Sequence, residues 1–584
     1  MNKFARIFAV LLVTFASGAF AAWDGSASAT APATRTIDGK VFYEISTAAD
    51  LAWFAGQTNG PQNPTVVNAI LTNDIVFGGD TSSVSSKAWT PVGLYQMFSY
   101  KGTFDGNGKT IYGLYVAADV TFGGLFGWVD TAGVVKNVNV HNSKISGGVS
   151  VGGIAAYNIG LLKNCSFSGE ISGSYRTGGI AGVSLSRIDS CVNYGSVTST
   201  VAFAGGIVGL DSAGTDFVGV SDCTNYGTVS GDQEMGGIVG KAYANVSGCV
   251  NAGKVISNGL YIGGIVGSLH TGSVFNCRNT ADVSTNSLYA AGIVGNSSGN
   301  IDLCINTGNI SAKEFTVGGI AAALNGGNIT RSMNYGSVYG DGFYIGGIAG
   351  VVTDGGISDC ANFGNITATK LQAGGIAGYA INSVIQNSYS AADTVVGKKE
   401  DITGADTVVA DGGVAGSCSK CSVLNSYYDS SLLPGSVAVG GNTKETFDAR
   451  GLPSDSIGAE WFVTVLNTPS GKTESSGIWS LGSNGMPVIV QDIDAAAPAI
   501  DGKTDILPGV RRTAAIAGDF RINVEGRGIS VTGARDGTPC TLFDLRGRSL
   551  AVIRVNGGMA LLDAPSSGRY YLRIGDTIRG IRVR

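Results

Sequence analysis

One short pattern returns along most of the chain: two glycines followed by an aliphatic residue, as in Gly236-Gly237-Ile238. Successive copies lie about 26 to 31 residues apart, with a longer step before the last one. A fixed period of this size is typical of stacked supersecondary units. Between copies, short runs of Ile, Val, Tyr and Thr alternate with Gly, Asn and Ser, which indicates strands rather than helices. The first glycines of the copies are Gly123, Gly152, Gly178, Gly205, Gly236, Gly263, Gly318, Gly346, Gly374 and Gly412, with a degenerate copy at Ala291-Gly292.

A unit of this length without a helix can wind one coil of a parallel β-helix, in which each strand pairs with its equivalent in the next coil. The copies predict about eleven coils, and the chirality of parallel crossovers predicts a right-handed path. A leucine-rich-repeat solenoid is disfavoured because the chain lacks the Leu-x-x-Leu-x-Leu pattern. With 91 glycines, 44% hydrophobic residues and only 14% charged residues, the composition suits a turn-rich all-β protein with a core.

Cysteines recur at one position of the repeat and asparagines recur two residues later. We predict that the thiols are buried small fillers and not disulfides, because Cys360 has serine on both neighbouring coils. The asparagines are predicted to hold a left-handed corner and to hydrogen-bond from coil to coil. The cysteine column comprises Cys165, Cys191, Cys223, Cys249, Cys277, Cys304 and Cys360 with Ser332 and Ser388, and the asparagine column comprises Asn193, Asn225, Asn251, Asn279, Asn306, Asn334 and Asn362.

The regions outside the repeat have their own signals. Residues 1–21 are predicted to be a cleaved signal peptide, because two basic residues precede an apolar run too short to span a bilayer. No later run reaches the length of a transmembrane segment. Residues 22–120 are predicted to cap the β-helix, with a helix around AADLAWFAG and a hairpin in GTFDGNGKTIYGL. Repeats fill 121–394, and 395–491 are predicted to hold the last coils and the second cap, with a local disulfide between Cys418 and Cys421.

The composition changes after residue 491. Residues 492–515 have the Ala, Pro, Asp and Gly content of a linker, and 516–584 contain short alternating strands that predict a small antiparallel β-sandwich. Basic residues outnumber acidic ones in this tail. The arginines alternate with apolar residues, which favours the outer faces of strands over nucleic-acid binding.

Two parts of the chain resemble known families. The succession of WTPVG, GTFDGNGKTIYGLYV, GGLFG and the Gly-Gly-Ile copies, over roughly residues 40–490, resembles GLUG-motif β-helical surface proteins. That resemblance implies no catalytic residue. The tail resembles the C-terminal sorting domain of type IX secretion substrates, which implies a Gram-negative source, engagement of that secretion machinery and a tail that can be cleaved. The residues that carry the second resemblance are Asp544, Gly547, Arg548, Gly568 and Tyr570.

The position two residues before the first glycine of each copy carries the candidate binding residues. Phe203, Tyr261, Tyr289 and Tyr344 are predicted to meet sugar rings, because an aromatic face offers flat apolar area with a polar tip. The alternative is an aromatic ladder that only stabilises the pairing of coils. The whole column reads Arg176, Phe203, Glu234, Tyr261, Tyr289, Thr316, Tyr344 and Gln372.

No catalytic set is predicted. At neither of the two positions before the cysteine column does a carboxylate recur on two adjacent coils, whereas acid–base chemistry on sugars needs convergent groups. The cluster Asp211, Asp216 and Asp222 is predicted to be a solvated loop and not a cation site. His141 and His270 lack a supporting motif and are expected to be exposed loop residues. No metal and no cofactor are predicted.

These features predict a secreted or cell-surface protein that binds without catalysis, similar to an adhesin, with extracellular polysaccharide or a cell surface as its partner. Two alternatives stay open. A polysaccharide lyase or glycoside hydrolase can be built on the same fold, and the repeat can also serve a purely structural role at the surface.

Overall fold

A computed structural model describes residues 21–490 except 61–65, 214–217, 371, 398–410, 442–446 and 469–476, together with the strands between residues 521 and 583. The predicted linker and, apart from Ala21, the predicted signal peptide lie outside the described residues. The chain divides into two compact units, Met1–Ile489 and Val490–Arg584. Among the described residues, no helix combines the length and apolarity needed to cross a bilayer.

A coil of the first unit consists of five short strands, and equivalent strands of neighbouring coils pair in parallel. We number the five series of equivalent strands as ladders 1 to 5. In one coil they are Asn245–Ser247, Val250–Asn251, Val255–Ser257, Ile262–Gly263 and Val266–Leu269. Ladder 1 belongs to a 15-stranded sheet, ladders 2 to 4 to a 32-stranded sheet, and ladder 5 is an 11-stranded sheet. The predicted parallel β-helix is confirmed, and ladder 5 contains one strand for each of the eleven predicted coils.

The strands of the three sheets have the following bounds. The sheet of ladder 1 comprises Thr34–Ile37, Lys40–Ile45, Asn68–Leu71, Thr103–Asp105, Val134–Lys136, Leu161–Lys163, Ile188–Asp189, Val218–Ser221, Asn245–Ser247, Ser273–Phe275, Asn300–Asp302, Asn328–Thr330, Gly356–Ser358, Val384–Gln386 and Ser422–Leu424. The sheet of ladders 2 to 4 comprises Ile75–Val76, Thr110–Tyr112, Tyr115–Val116, Phe122–Gly123, Asn139–Ser146, Ser150–Gly152, Ser166–Gly173, Arg176–Gly178, Val192–Asn193, Ser196–Gly205, Thr224–Asn225, Val229–Gly236, Val250–Asn251, Val255–Ser257, Ile262–Gly263, Arg278–Asn279, Val283–Thr285, Tyr289–Ala291, Ile305–Asn306, Ile310–Ala312, Thr316–Gly318, Met333–Asn334, Val338–Gly340, Tyr344–Gly346, Ala361–Asn362, Ile366–Ala368, Gln372–Gly374, Tyr389–Ser390, Val395–Val396, Asp411–Gly412, Ser426–Asp429 and Ala449–Leu452. Ladder 5 comprises Phe126–Val129, Ala155–Asn158, Ala181–Ser184, Val208–Asp211, Val239–Ala242, Val266–Leu269, Val294–Ser297, Ala321–Asn325, Ala349–Thr353, Ala377–Ile381 and Ala415–Ser419.

The asparagine column runs through the interior of the solenoid. The Nδ2 of Asn251 donates to Oδ1 of Asn279 at 2.8 Å and to the carbonyl of Gly253 at 2.9 Å, while its Oδ1 accepts from Nδ2 of Asn225 at 2.9 Å. Amide-to-amide bonds of this kind join every neighbouring pair of the column from Asn193 to Asn362. The predicted hydrogen bonding from coil to coil is confirmed.

The predicted left-handed backbone at these asparagines is wrong. The left-handed position is instead the residue just before the cysteine column, where Asp222 has φ +53° and Asn276 has φ +52°. The chain turns there from ladder 1 into ladder 2. The asparagines lie one strand further on, where their amides face the core.

The asparagine column explains why the second glycine of each pair is required. A Cβ on Gly237 would lie 2.3 Å from Cγ of Asn251 and 2.1 Å from the carbonyl oxygen of Gly264. The Gly-Gly bend therefore lies against the asparagine on the opposite side of the coil, and no side chain fits between them. The core is pinched at this point into two lobes, one between ladders 3 and 4 and one between ladders 1 and 5.

The cysteine column is a second interior row. Its cysteines are buried and not disulfide-bonded, as predicted. The thiol of Cys191 donates to the carbonyl of Asp189 at 3.4 Å and accepts from the backbone N–H of Cys165 at 3.4 Å. Ser332 makes the same two contacts, donating to Thr330 and accepting from Cys304 at 3.1 Å. Serine can replace cysteine in this column because both side chains make the same pair of hydrogen bonds.

The N-terminal segment contains the predicted helix, α1, at Ala48–Asn59. Thr47 and Asp50 form a capping box at its start, and Phe54 packs in the core against Tyr100 with ring centroids 5.7 Å apart. The predicted hairpin in GTFDGNGKTIYGL is wrong. Thr103–Asp105 belongs to ladder 1 and Thr110–Tyr112 to ladder 2, so the DGNG turn is a corner of the coil.

The C-terminal segment of the first unit lies along the side of the last coils. It comprises α2 at Ser454–Ile457, α3 at Glu460–Asn467 and a hairpin of Trp479–Leu481 with Pro487–Ile489. These elements form a second hydrophobic cluster with the outer face of ladder 2, which includes Ile305, Met333, Ala361 and Tyr389. A disulfide joins Cys418 and Cys421, whose Cα atoms are 5.7 Å apart, as the sequence predicted.

The second unit contains two antiparallel sheets, as expected for the predicted sandwich. One comprises Arg521–Glu525, Gly528–Thr532 and Met559–Asp563, and the other comprises Pro539–Phe543, Ser549–Arg554, Gly568–Ile574 and Thr577–Val583. Alternate residues of both sheets are buried, such as Ile529 and Val531 in the first and Cys540 and Leu542 in the second. This alternation is typical of sheets that pack face to face.

Candidate functional site

The Gly-Gly bend makes the outer surface concave between ladders 4 and 5. Because the bend is drawn in towards the asparagine column, the outward side chains of these ladders face each other across a groove parallel to the solenoid axis, which we call the axial groove. Its floor is narrow, since a Cβ on Gly240 would lie 2.8 Å from the carbonyl oxygen of Glu234. The ladder-4 wall holds Phe122, Ser150, Arg176, Phe203, Glu234, Tyr261, Tyr289, Thr316, Tyr344 and Gln372. The ladder-5 wall holds Trp128, Tyr157, Val183, Leu210, Lys241, Ser268, Asn296, Ala323, Val351, Tyr379 and Ser417.

The predicted tyrosines lie on the ladder-4 wall and are half-buried. Tyr261 and Tyr289 are neighbours, with ring centroids 5.0 Å apart and planes at 34°. Tyr344 is separated from them by the buried Thr316, and it stacks instead across the groove on Tyr379 at 5.2 Å and 22°. The structure therefore brings two of the three tyrosines together and pairs the third with the opposite wall.

Phe203, the fourth predicted residue, lies on the same wall but next to a charged pair. Lys241 and Glu234 form an ion pair at 3.3 Å across the groove, and both side chains are only 16% exposed. The ammonium of Lys241 also lies 5.1 Å from the centroid of the Phe203 ring, within the range of a cation–π contact. Phe203 therefore packs against a cation and does not join a tyrosine stack.

The middle of the ladder-4 wall has a constrained backbone. Phe203, Glu234 and Tyr261, on three successive coils, have φ values of +57°, +53° and +60°. Residues with a Cβ rarely adopt this region, and each such position costs on the order of 1 to 3 kcal/mol. The surrounding ladders hold the three side chains in this arrangement, so the wall is built with fixed directions for its rings and charge.

The two histidines have different surroundings. His270 is exposed, as predicted, and stacks on Tyr243 at 4.9 Å beside Lys241. Partial burial and the nearby Lys241 charge lower the pKa of His270. The prediction for His141 is wrong, because it lies within the strand Asn139–Ser146, is half-buried and contacts Oγ of Ser166 at 3.0 Å.

The N-terminal end of the axial groove is its most aromatic part. Trp128 stacks on Tyr157 at 3.7 Å and 12°, and the edge of Phe122 meets Trp128 at 5.5 Å. Three polar atoms at this end are buried and have no hydrogen-bond partner: Nε1 of Trp128, Oγ of Ser150 and Nε of Arg176. Buried polar atoms without a partner are uncommon and call for an explanation.

Sequence reasoning found one wall of the groove and missed the other. The ladder-5 wall does have a sequence signal: each of its residues lies five positions after the first glycine of a copy, as Trp128 does after Gly123 and Lys241 after Gly236. This spacing predicts a second wall only when the Gly-Gly bend is known to fold ladder 5 back beside ladder 4. A bend of the opposite sense would place the two walls on different faces.

Two other surfaces stand outside the axial groove. Tyr194 and Tyr226 stack on the outer face of ladder 2 at 5.2 Å and 5°, and each is 53% exposed. A depression of about 260 Å³ lies beside ladder 3, and its lining mixes polar with apolar residues and includes Ile256, Lys313, Tyr339 and Asp341. The stacked tyrosine pair provides a matched control for experiments on the groove.

Two of the three residues of the predicted acidic cluster are described, and they lie at different points of the coil. Asp211 is fully buried in ladder 5 rather than in a solvated loop, and burial raises its pKa to about 7. Asp222 lies at the left-handed corner, and Asp216 falls outside the described residues. Within the part of the chain that the structure describes, no three His, Cys, Asp or Glu side chains are grouped to hold a metal ion.

Comparisons with known proteins agree with the repeat. A family model described as the GLUG motif matches residues 258–284, which span one turn from the axial groove through the cysteine column to ladder 3. The chain is similar to halomucin of Haloquadratum walsbyi, with 32% identity over 138 residues. This match covers 22% of the chain and 1% of halomucin, so the chain spans only a small fraction of that protein's length. A crystal structure described as a "putative immunoglobulin A1 protease" from Bacteroides ovatus aligns with 78% of this chain and 93% of its own, at 18% identity and a TM-score of 0.26.

Proposed function

We propose that this chain is a secreted or surface-displayed binding protein that holds a polysaccharide along the axial groove without cleaving it. The observation that carries the proposal is the pair of facing walls, which hold aromatic rings on seven coils spaced along one groove. Pyranose rings have apolar faces that pack on aromatic rings. Rings spaced at intervals along a groove offer separate contacts to successive parts of one chain, which suits a polymer of sugars.

The absence of convergent catalytic groups supports binding over cleavage. Among the described groove residues, the only carboxylate is Glu234, and it is paired with Lys241. Glycoside hydrolysis by the usual route uses two carboxyl groups about 5 to 10 Å apart. The GLUG match and the resemblance of the tail to a sorting domain support a location at the surface or in the medium.

The test uses the full chain and a panel of immobilised neutral and acidic polysaccharides. Replacing both Tyr261 and Tyr289 by alanine is expected to weaken retention about thirtyfold, since the two aromatic contacts each contribute on the order of 1 kcal/mol. The matched control replaces Tyr194 and Tyr226, the stacked pair on another face, and should retain wild-type affinity. Phenylalanine at positions 261 and 289 should preserve most of the binding because the ring faces remain.

The same samples separate binding from the alternatives. Release of reducing or unsaturated ends from a retained polysaccharide would replace the proposal with an enzymatic function. Loss of binding in the Tyr194 and Tyr226 control, with the groove variant unaffected, would move the site to ladder 2. Failure of every polysaccharide to bind would leave a structural role.

A further inference from the structure

The N-terminal end of the axial groove contains a guanidinium without a protein counter-charge. Arg176 is half-buried on the ladder-4 wall, its Nε is fully buried, and no described carboxylate lies within ion-pair distance of it. By contrast, Arg187 on ladder 1 pairs with Asp189 at 3.4 Å and Arg331 pairs with Asp302. Hydrogen bonds to a charged group are among the stronger ones, and the buried Nε–H of Arg176 is a strong donor left without an acceptor.

The neighbours of Arg176 add to the unsatisfied hydrogen bonding. Ser150, on the adjacent coil of the same wall, is fully buried and its Oγ has no partner, and Nε1 of Trp128, one coil further along on the opposite wall, has none either. All three groups can donate a proton. Unpaired donors on three successive coils of one groove are suited to a ligand rich in acceptor oxygens.

The aromatic rings at the same place indicate what carries those oxygens. Trp128, Tyr157 and Phe122 line this end of the groove, on the two coils that precede the coil of Arg176, and they present apolar surface there. A sugar ring can pack on such surface while an anionic substituent reaches the arginine, which binds carboxylates in a planar, two-point geometry. An inorganic anion would use only the charge and leave the rings without a role.

Building on the proposed function, we infer that the axial groove takes an acidic polysaccharide and that Arg176 binds the carboxylate of one of its sugars. Along the described walls the charged residues are Arg176, Glu234 and Lys241, and the last two neutralise each other. The groove thus offers one free positive charge on a chain whose net charge is −5. This balance favours a glycan with carboxylates separated by neutral sugars over a densely charged polyanion, which the acidic chain would repel.

The experiment compares hyaluronan, in which glucuronate alternates with a neutral amino sugar, with the same polymer after chemical reduction of its carboxyl groups. Binding of the full chain to each is measured by calorimetry at low and moderate salt. Wild type is expected to bind hyaluronan about tenfold more tightly than the reduced polymer, and dextran sulfate more weakly than hyaluronan. Arg176→Gln should abolish the preference, and Arg176→Lys should retain part of it. Arg187→Gln, the control, should leave it intact.

The outcomes distinguish this inference from the function on which it rests. If both polymers bind equally and the tyrosine variants still weaken them, the groove binds glycan but the acidic subsite is refuted. If dextran sulfate binds best and Arg187→Gln matters as much as Arg176→Gln, attraction is general and the inference fails. If neither polymer binds while another polysaccharide of the panel does, the inference fails and the proposed function stands, whereas failure of the whole panel refutes both. Thermal unfolding of each variant confirms that a lost preference is not a lost fold.

Discussion

At the scale of single residues, the repeat depends on the contact between an asparagine and a glycine far apart in sequence. Asn251 occupies the space where a Cβ of Gly237 would lie, and the same relation holds between Gly264 and Asn279. The Gly-Gly pair and the Cys-x-Asn pair are therefore two sides of one narrow point in the core. Beyond the asparagine column, Phe167 lies against Gly153 at one end, and Ser390 and then Tyr428 lie against Gly375 and Gly413 at the other.

This contact predicts the effect of changing either partner. Asn251→Ala removes the acceptor of Asn225 and the donor to Asn279 and should lower stability by about 3 kcal/mol, because several buried amide groups lose partners. Gly237→Ala should be at least as damaging. Combining Asn251→Ala with Gly237→Ala should not restore stability, since the new Cβ would still meet the carbonyl oxygen of Gly264 at 2.1 Å. Thermal unfolding against Lys254→Ala, an exposed control, measures these effects, and recovery in the double variant would contradict the account.

Asp211 predicts a dependence of stability on pH. Burial favours its neutral form and raises its pKa from 3.8 to about 7, so its contribution to stability is fully present below pH 3.8 and is lost as the pH rises to about 7. A shift of this size corresponds to at most about 4 kcal/mol. Asp211→Asn should therefore raise the unfolding temperature at pH 8 and change it little at pH 4. Asp119→Asn, at an exposed position, should give no such difference, and equal effects of Asp211→Asn at both pH values would refute the prediction.

At the scale of strands and columns, the fold could be predicted because each ladder repeats one residue type many times. The period, the interior thiols and the coil-to-coil amide bonds all follow from that repetition. The hairpin was mispredicted because DGNG has the turn chemistry of both a hairpin and a coil corner, and only the pairing partners of Thr103–Asp105 and Thr110–Tyr112 decide between them.

The binding site could be predicted only in part for a related reason. Periodicity places Tyr261 and Tyr289 on neighbouring coils, but it does not reveal that the outer surface bends inwards beside them. The opposite wall and the unpaired Arg176 therefore escaped the sequence argument. Whether the outer surface is concave depends on the backbone path of the whole coil. The residue types at one repeat position do not reveal that path.

The cysteine column predicts a count of reactive thiols. All eight free cysteines are buried, and burial raises the pKa of thiols such as Cys223 and Cys360, which slows their reaction. The native chain should therefore react negligibly with a thiol reagent. Unfolding without reductant should expose eight thiols, and unfolding with reductant should expose all 10. Rapid labelling of any native thiol other than Cys540 would show that the column is not sealed, and ten thiols without reductant would exclude the Cys418–Cys421 disulfide.

At the scale of the whole first unit, the C-terminal segment acts as a cover for exposed strand surface. The surface just after ladder 2 changes along the axis: Tyr194 and Tyr226 are open to solvent near one end, whereas Tyr335 and Phe363, at the same repeat position, pack against the cluster that includes the helices and hairpin near the other. A sequence-based cap was expected at the open edge of the last coil. The segment instead also covers the side of several coils, which protects apolar residues that the repeat leaves facing outwards.

The junction between this cover and the coils predicts a local unfolding event. Phe462 in α3 is fully buried and meets the rings of Tyr389 and Tyr427 at 5.7 and 5.0 Å. Phe462→Ala should cost about 3 to 5 kcal/mol, since it leaves a cavity in a small cluster. The substitution should weaken the packing of α2, α3 and the hairpin on the coils. The coils themselves should stay folded, because the strand pairing within their ladders does not involve Phe462. Hydrogen exchange should therefore rise in these helices and the hairpin and on the ladder-2 face around Met333, while ladder 5 remains protected. The adjacent Trp461 is 47% exposed, so Trp461→Ala serves as the control and should leave exchange unchanged. Loss of protection throughout the solenoid in Phe462→Ala would show instead that the cover and the coils unfold as one unit.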